Sequence, residues 1–278
     1  LSFFTRSAPS DRAGMRDRLI FQNGNPMTAP MNVIDDYYLS LGKIGILNYK
    51  TMDESGENAF LRKYLPSLSS PTILDVGANI GGYSKAILRE CPSARVYAFE
   101  PHPITFGNLT KDTAEDRFHA LNIGIGAAEE TLDFYDYRDE DGSSHASLYK
   151  EVIENIHHRP STSHRVSIRR LDDVCHELDL PHIALLKIDT EGHELAALQG
   201  AERLIRSGAI DVIQFEFNEM NVISRCFFKD FWDFLPDYRF FRLLPHGSIE
   251  IKTYIPSFCE IFAFQNIVCV KKDLPEFF

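Results

Sequence analysis

The sequence has little that would hold the chain in a membrane or lock it covalently. No apolar run approaches the about 18 residues needed to cross a bilayer, and the N-terminal stretch lacks a signal-peptide hydrophobic segment, so a soluble, cytoplasmic protein is expected. The cysteines, Cys91, Cys175, Cys226, Cys259 and Cys269, are odd in number, widely spread and never in a Cys-x-x-Cys pair. That spacing argues against a disulfide framework and against a zinc cluster. Positive charge is scarce too: 29 Lys+Arg against 40 Asp+Glu leave a formal charge of −11. Such a balance opposes nonspecific attraction to nucleic acid or anionic lipid, and no nucleic-acid partner is expected. Internal repeats are absent. The one tryptophan, Trp232, reads as packing in a core-facing helix within Phe227 to Leu235 rather than as a substrate platform.

What is present suffices for a sizeable core: 278 residues, 44% of them hydrophobic, allow one large domain with an extension. Residues 1 to 32 mix Arg, Asp, Pro, Gly and Asn without a sustained period and read as a loosely docked arm. From Val33 to Leu65 the composition turns helical, so residues 1–70 are read as an arm and helical cap and 71–278 as the main domain. Asp53 or Ser55 can cap the last helix of that cap. Glu57 either reaches a ligand or is a solvated first-turn acid favoured by the helix dipole.

The organising stretch is Thr72-Ile-Leu-Asp75-Val-Gly77-Ala78-Asn79-Ile-Gly81-Gly82-Tyr83-Ser84: a buried strand, a glycine turn and a helix start. A second buried run, Arg95 to Phe99, ends in Glu100-Pro101, and an acid at that strand tip can accept hydrogen bonds from both ribose hydroxyls of an adenosine. A dinucleotide fingerprint requires Gly-x-Gly-x-x-Gly, and one glycine here is out of register for NAD. An ordinary glycine turn is the bland alternative, and Glu100 favours a cofactor.

Phe118 to Ile123 reads as a third strand, with Asn122 and Ile123 where a nucleoside-binding sheet supplies an adenine pocket. Glu130 to Tyr137 alternates like a half-exposed strand. The polar stretch Arg138 to Arg165 is an inserted loop around a short helix, Leu148 to Ile156; its Gly142 to Ser147 is either a flap over the substrate or a plain surface excursion. His157 and His158 have no ligand spacing. Ile183 to Ile188 is a buried strand ending in Asp189-Thr-Glu191-Gly-His193-Glu194, and Asp211 to Glu216 repeats the scheme. Tyr238 to Leu244 and Glu260 to Val270 leave no room for another crossover helix and read as antiparallel strands. The sum is an α/β fold with a mostly parallel sheet and a reversed strand.

Three segments together resemble the FkbM family of methyltransferases: Ile73 to Ser84 with Val96 to Pro101, then Arg170-Leu-Asp-Asp, then Leu186-Lys-Ile-Asp-Thr-Glu-Gly-His-Glu-Leu. The resemblance implies the class I methyltransferase fold, Rossmann-like, with seven strands, one of them antiparallel, and helices on both faces. It implies S-adenosyl-L-methionine as donor, bound by Asp75, Gly77, Ala78, Asn79, Gly81, Tyr83, Glu100, Pro101, Asn122 and Ile123. A hydroxyl of a sugar, glycan or related small metabolite is the implied acceptor. An NAD-dependent nucleotide-sugar oxidoreductase or epimerase, and a non-catalytic cofactor-binding module, are the competing readings; a homodimer is compatible with all three.

Transfer to a hydroxyl needs alignment and removal of a proton, by a base or with help from a cation. Asp189 is expected to position substrate or bind metal, Glu191 to hold the loop or the acceptor, and His193 to act as base; the alternative is that Glu191, His193 and Glu194 merely cap the following helix. Glu216 could complete a Mg²⁺ site with Asp189, or simply bind loop amides.

Overall fold

A computed structural model describes residues 33–275 and 277, except 114 and 144. The expected N-terminal arm lies outside the described residues. Eight strands form the main sheet: β1 (Thr72–Val76), β2 (Arg95–Phe99) and β3 (Phe118–Leu121), then β7 (Ile183–Ile188), β8 (Ile210–Phe217), β9 (Tyr238–Leu244), β10 (Gly247–Ile251) and β11 (Gln265–Lys271). Their order is β10-β9-β11-β8-β7-β1-β2-β3. Neighbours from β8 to β3 run parallel, whereas β11 is antiparallel to both β8 and β9. These are the seven strands with one reversed that the resemblance implies, and β10 adds an eighth by folding back on β9 as an edge hairpin.

Apolar residues on both faces explain why the central strands read as continuous hydrophobic runs. Leu74, Val76, Leu186, Ile188, Ile213 and Phe215 pack on one side with helices Leu171–Glu177 and Glu194–Gly200. Ile73, Val96, Leu185, Val212 and Val268 pack on the other, against helices Glu57–Tyr64 and Gly82–Glu90. Trp232 joins the first cluster, its ring 4.8 Å from Phe240, as the packing reading required. The helix Glu57–Tyr64 is capped by Gly56 with φ 88° and no side-chain bond; Asp53 instead accepts from Asn58 and Arg62.

One row interrupts this apolar order. Asp75, Lys187 and Gln214 are register partners on β1, β7 and β8, so their side chains stand abreast on one face of the sheet. All are buried.

The segment from 124 to 169 is not mainly a loop. It forms a second sheet, ordered β4-β6-β5, from β4 (Gly124–Ile125), β5 (Glu130–Tyr137) and β6 (Ser161–Arg169). β5 and β6 pair along their whole lengths, Glu130 opposite Ile168 through Tyr137 opposite Ser161. The expected loop is therefore the long connection of a hairpin, and its expected helix is a single π-helical turn at Val152–Ile156.

Candidate active site

A cavity of about 370 Å³ opens at the carboxyl ends of β1, β2 and β7, under the second sheet. Both acidic strand tips, Glu100 and Asp189, line it. Of the residues expected to hold a cofactor, Asp75, Gly77, Ala78, Asn79, Tyr83, Glu100 and Pro101 are in its wall. Gly81 is not; its missing side chain leaves room for Leu109, 2.7 Å from where a Cβ would sit. Gly82 takes its place, with nothing within 4 Å of its Cβ position. Gly77 also serves the sheet itself. At φ 79° its Cβ would lie 1.7 Å from the Asp189 carbonyl oxygen, so this glycine lets the ends of β1 and β7 touch rather than opening space for a ligand.

Asn122 and Ile123 are outside the wall, and Gly124 and Ile125 line it instead. The reason is local: Asn122 turns its amide back onto the carbonyls of Glu100 and Pro101, 2.8 and 3.1 Å away.

Glu100 is held from two sides. Its Oε2 accepts the Asn79 amide and its Oε1 the His102 amide, both at 2.8 Å. Burial pushes its carboxyl up to about 7, against the opposing pull of those amides. Each oxygen keeps a lone pair for a ligand hydroxyl.

At the centre, Lys187 Nζ donates to Asp189 Oδ2 at 3.0 Å and lies 5.2 Å from the centre of the Tyr83 ring. Tyr83 donates to Gln214 at 2.6 Å, and Gln214 donates to Glu57 at 2.9 Å. Glu57 is thus part of the cavity wall, joined to the sheet, rather than a solvated first-turn acid. Burial works against the Lys187 ammonium, but Asp189, Asp75 and Glu57 more than offset it and hold its pKa above the usual value. Burial raises the pKa of both Glu57 and Asp75. One ammonium among three carboxylates leaves this end of the cavity short of positive charge. Asp75 shows the deficit directly: Oδ2 accepts from Ser84 at 2.6 Å, while the buried Oδ1 has no partner.

The loop after β7 is organised by Glu194, whose Oε1 accepts from the Thr190 amide and hydroxyl and from the Gly192 amide at 2.9–3.1 Å. Of the residues read as helix caps, only Glu194 bonds the loop in this way. Glu191, left-handed at φ 52°, faces His145 across 3.6 Å, and its carbonyl accepts from Ser147 at 2.8 Å. His193 occupies the N-cap position of the next helix without a side-chain cap bond. Its Nδ1 is 3.3 Å from the Tyr149 hydroxyl, and burial lowers its pKa to about 4. Asp189, Glu191 and His193 all line the cavity.

The second sheet supplies the roof, through Phe134, Ser143, Ala146, Leu148 and Ile168. Asp136, fully buried, holds the turn beneath it by accepting the amides of Gly142 and Ser143 at 2.7 and 2.8 Å. This is the stretch read as either flap or surface excursion, and it covers the cavity. Glu216 does not reach the cavity that Asp189 lines; its Oε1 accepts from Asn218, two residues on. Of the two carboxylates expected to share a Mg²⁺ ion, the cavity wall holds Asp189.

Lys187 is the main site residue that pattern reading passes over. The available signal was a charged residue inside an otherwise apolar strand.

A dinucleotide fits this wall poorly. Among the described residues, Glu57, Asp75, Glu100, Asp189 and Glu191 line it against Lys187 as the one lysine or arginine, which repels a pyrophosphate and attracts a cation. The orphaned Asp75 oxygen, the two-sided Glu100 and the acidic excess fit an adenosine carrying a positively charged amino-acid tail.

Comparison with known proteins agrees. Residues 75–241 match the family model described as the methyltransferase FkbM domain. Methyltransferase sdnD of Sordaria araneosa is 32% identical over 159 residues, covering 48% of this chain and 61% of its own. Hexuronic acid methyltransferase AglP of Haloferax volcanii is 27% identical over 164 residues, covering 57% of this chain and 62% of its own. The 2-O-methyltransferase NoeI of Sinorhizobium fredii is 23% identical over 185 residues, covering 64% and 76%. The chain thus covers less than two thirds of the length of the first two relatives.

Proposed function

The chain belongs to the FkbM methyltransferase family, and from that premise we propose that it transfers a methyl group from S-adenosyl-L-methionine to a hydroxyl of a sugar, glycan or related small metabolite. The observation that carries the reading is the single cavity whose wall holds both Glu100 and Asp189 and whose carboxylates outnumber its cations. Glu100 receives the ribose hydroxyls. Asp75 and Glu57, at the cation-poor end, receive the amino group of the methionine part. Bound there, the cofactor supplies an electrophilic methyl on a cationic sulfur. The names of AglP and NoeI, a hexuronic acid and a 2-O-methyltransferase, support a sugar hydroxyl as acceptor.

The chain's own residues align the acceptor and move its proton. Asp189, fixed by Lys187, orients the acceptor hydroxyl, and Glu191 anchors the roof through Ser147 and His145. His193 takes the proton at Nε2, which requires its other proton on Nδ1, donated to the Tyr149 oxygen. A base with a pKa near 4 accepts that proton only as the oxygen–carbon bond forms and the hydroxyl turns acidic. Calorimetry with S-adenosylhomocysteine and NAD tests the cofactor, and tritiated-methyl transfer to sugar nucleotides, lipid-linked glycans and cell extract tests the acceptor. Binding of NAD in preference to S-adenosylhomocysteine, or binding without transfer to any carbohydrate fraction, overturns the reading.

A further inference from the structure

Beside the cavity, but not in its wall, three side chains from separate elements converge. His102 leads into the helix Pro103–Asp112, Asp141 lies in the β5–β6 connection, and His164 stands on β6. His102 Nε2 is 3.0 Å and His164 Nε2 is 2.9 Å from the same Asp141 Oδ1. The three ligand atoms all lie within 4.8 Å of one another, against about 3.3 Å between ligand atoms about 2.0–2.1 Å from a tetrahedral ion, so small side-chain adjustments admit one. We propose that His102, His164 and Asp141 form a binding site for a divalent transition-metal ion, Zn²⁺ by preference, that fastens the cavity roof to the tip of β2.

Two imidazoles and one carboxylate suit zinc and not Mg²⁺, which favours oxygen ligands throughout. Asp136 Oδ2, 3.6 Å from His102 Nε2, adds a second negative charge without becoming a ligand, because its oxygens already hold the roof amides. Water takes the fourth position. Asp141 and His164 are 31% and 26% exposed, so the ion has a path from solvent, while His102 at 1% anchors the site inside. His102 Nδ1 accepts the Thr105 amide of the same turn at 3.5 Å, and because a ring bound to an ion through Nε2 carries its proton on Nδ1, the ion forms at the expense of that long cap bond. The consequence is mechanical. His102 also donates its amide to Glu100, and Asp141 directly precedes the Gly142–Ser143 amides held by Asp136, so the ion would tie the ribose site and the roof into one unit.

The test uses the intact chain, freed of metal, and Zn²⁺ alone. Titration against a chromophoric chelator should give one equivalent bound with a Kd below about 1 μM. His164→Gln and Asp141→Asn, both at partly exposed positions, should each weaken binding by about 100-fold while near-UV circular dichroism stays native. In the unaltered protein Co²⁺ should give the intense visible bands of a four-coordinate nitrogen and oxygen site, and Zn²⁺ should slow hydrogen exchange at Gly142 and Ser143. Failure to bind Zn²⁺ saturably, or unchanged binding in both variants, overturns the proposal and leaves a hydrogen-bonded His-Asp-His triad.

Discussion

The two sheets differ in what holds them. The large sheet is built from central strands that are apolar on both faces, and its strand ends carry Asp75, Glu100 and Asp189 in the cavity wall. The small sheet's own apolar cluster is small, Phe134, Val166 and Ile168 with Leu132, Ala146 and Leu148 packed against them, and polar contacts through Asp136 hold its turn in place. Under the proposed function that difference divides the tasks: the large sheet fixes what every reaction of this kind needs, and the small one can vary to suit an acceptor. Substitutions on the large sheet should therefore strike the cofactor or the chemistry, and those on the small sheet the acceptor.

The largest effect is expected at the tip of β7. Asp189→Ala should lower turnover by about 10²- to 10³-fold, from lost alignment of the acceptor, and leave S-adenosylhomocysteine affinity within a few fold. Full turnover in that variant would sink the role given to Asp189. Next comes the tip of β2. Glu100→Ala should weaken S-adenosylhomocysteine binding by about 1–3 kcal/mol, or about 5- to 150-fold, as charge-assisted hydrogen bonds to the ribose are lost. Calorimetry showing unchanged affinity would place the ribose elsewhere.

This contrast also explains what could be read before the fold was known. Runs such as Ile183 to Ile188 are visible because burial on both faces demands apolar residues in sequence, and the mostly parallel sheet followed from the repeated strand-helix units. Lys187 hides in such a run, because its role depends on Asp75 and Gln214 standing beside it in strands far away in sequence. The first half of β6, Ser161-Thr-Ser-His-Arg, falls inside the stretch read as an inserted loop, because these polar residues are kept extended by pairing with β5 and not by a core. Asn122 misled for another reason: its amide bonds to backbone carbonyls, which no pattern of residue types reveals. The cluster of His102, Asp141 and His164 joins elements that only the second sheet brings together.

A pH dependence separates the two ends of the cavity further. Because burial raises Glu100 to about 7 in the fold, against a usual 4.5, the ligand-free folded chain keeps a proton that the unfolded chain has lost. Its stability contribution must then fall as pH rises from about 4.5 to 7. A cation bound in the cavity favours the carboxylate, so affinity for S-adenosylmethionine should rise with pH across the upper part of that window, by at most about tenfold per pH unit for one proton, and level off above 7. Glu100→Gln should flatten the rise. A profile equally steep in that variant would assign the proton to another acid, with Glu194, also raised to about 7, the first candidate.

The smallest effects belong to the roof. Asp136→Ala leaves the Gly142 and Ser143 amides without their acceptor, which should cost about 1–3 kcal/mol locally, raise the acceptor KM and leave cofactor affinity unchanged. Tyr149→Phe is subtler still. In the proposed mechanism the hydroxyl opposite His193 Nδ1 accepts that ring proton, and without it the tautomer with Nε2 free loses a hydrogen bond of about 1 kcal/mol. The expected result is a fall in kcat of about fivefold, with acceptor KM and S-adenosylhomocysteine affinity both unmoved. A change in KM alone would make Tyr149 part of the acceptor wall and would remove His193 from the path of the proton.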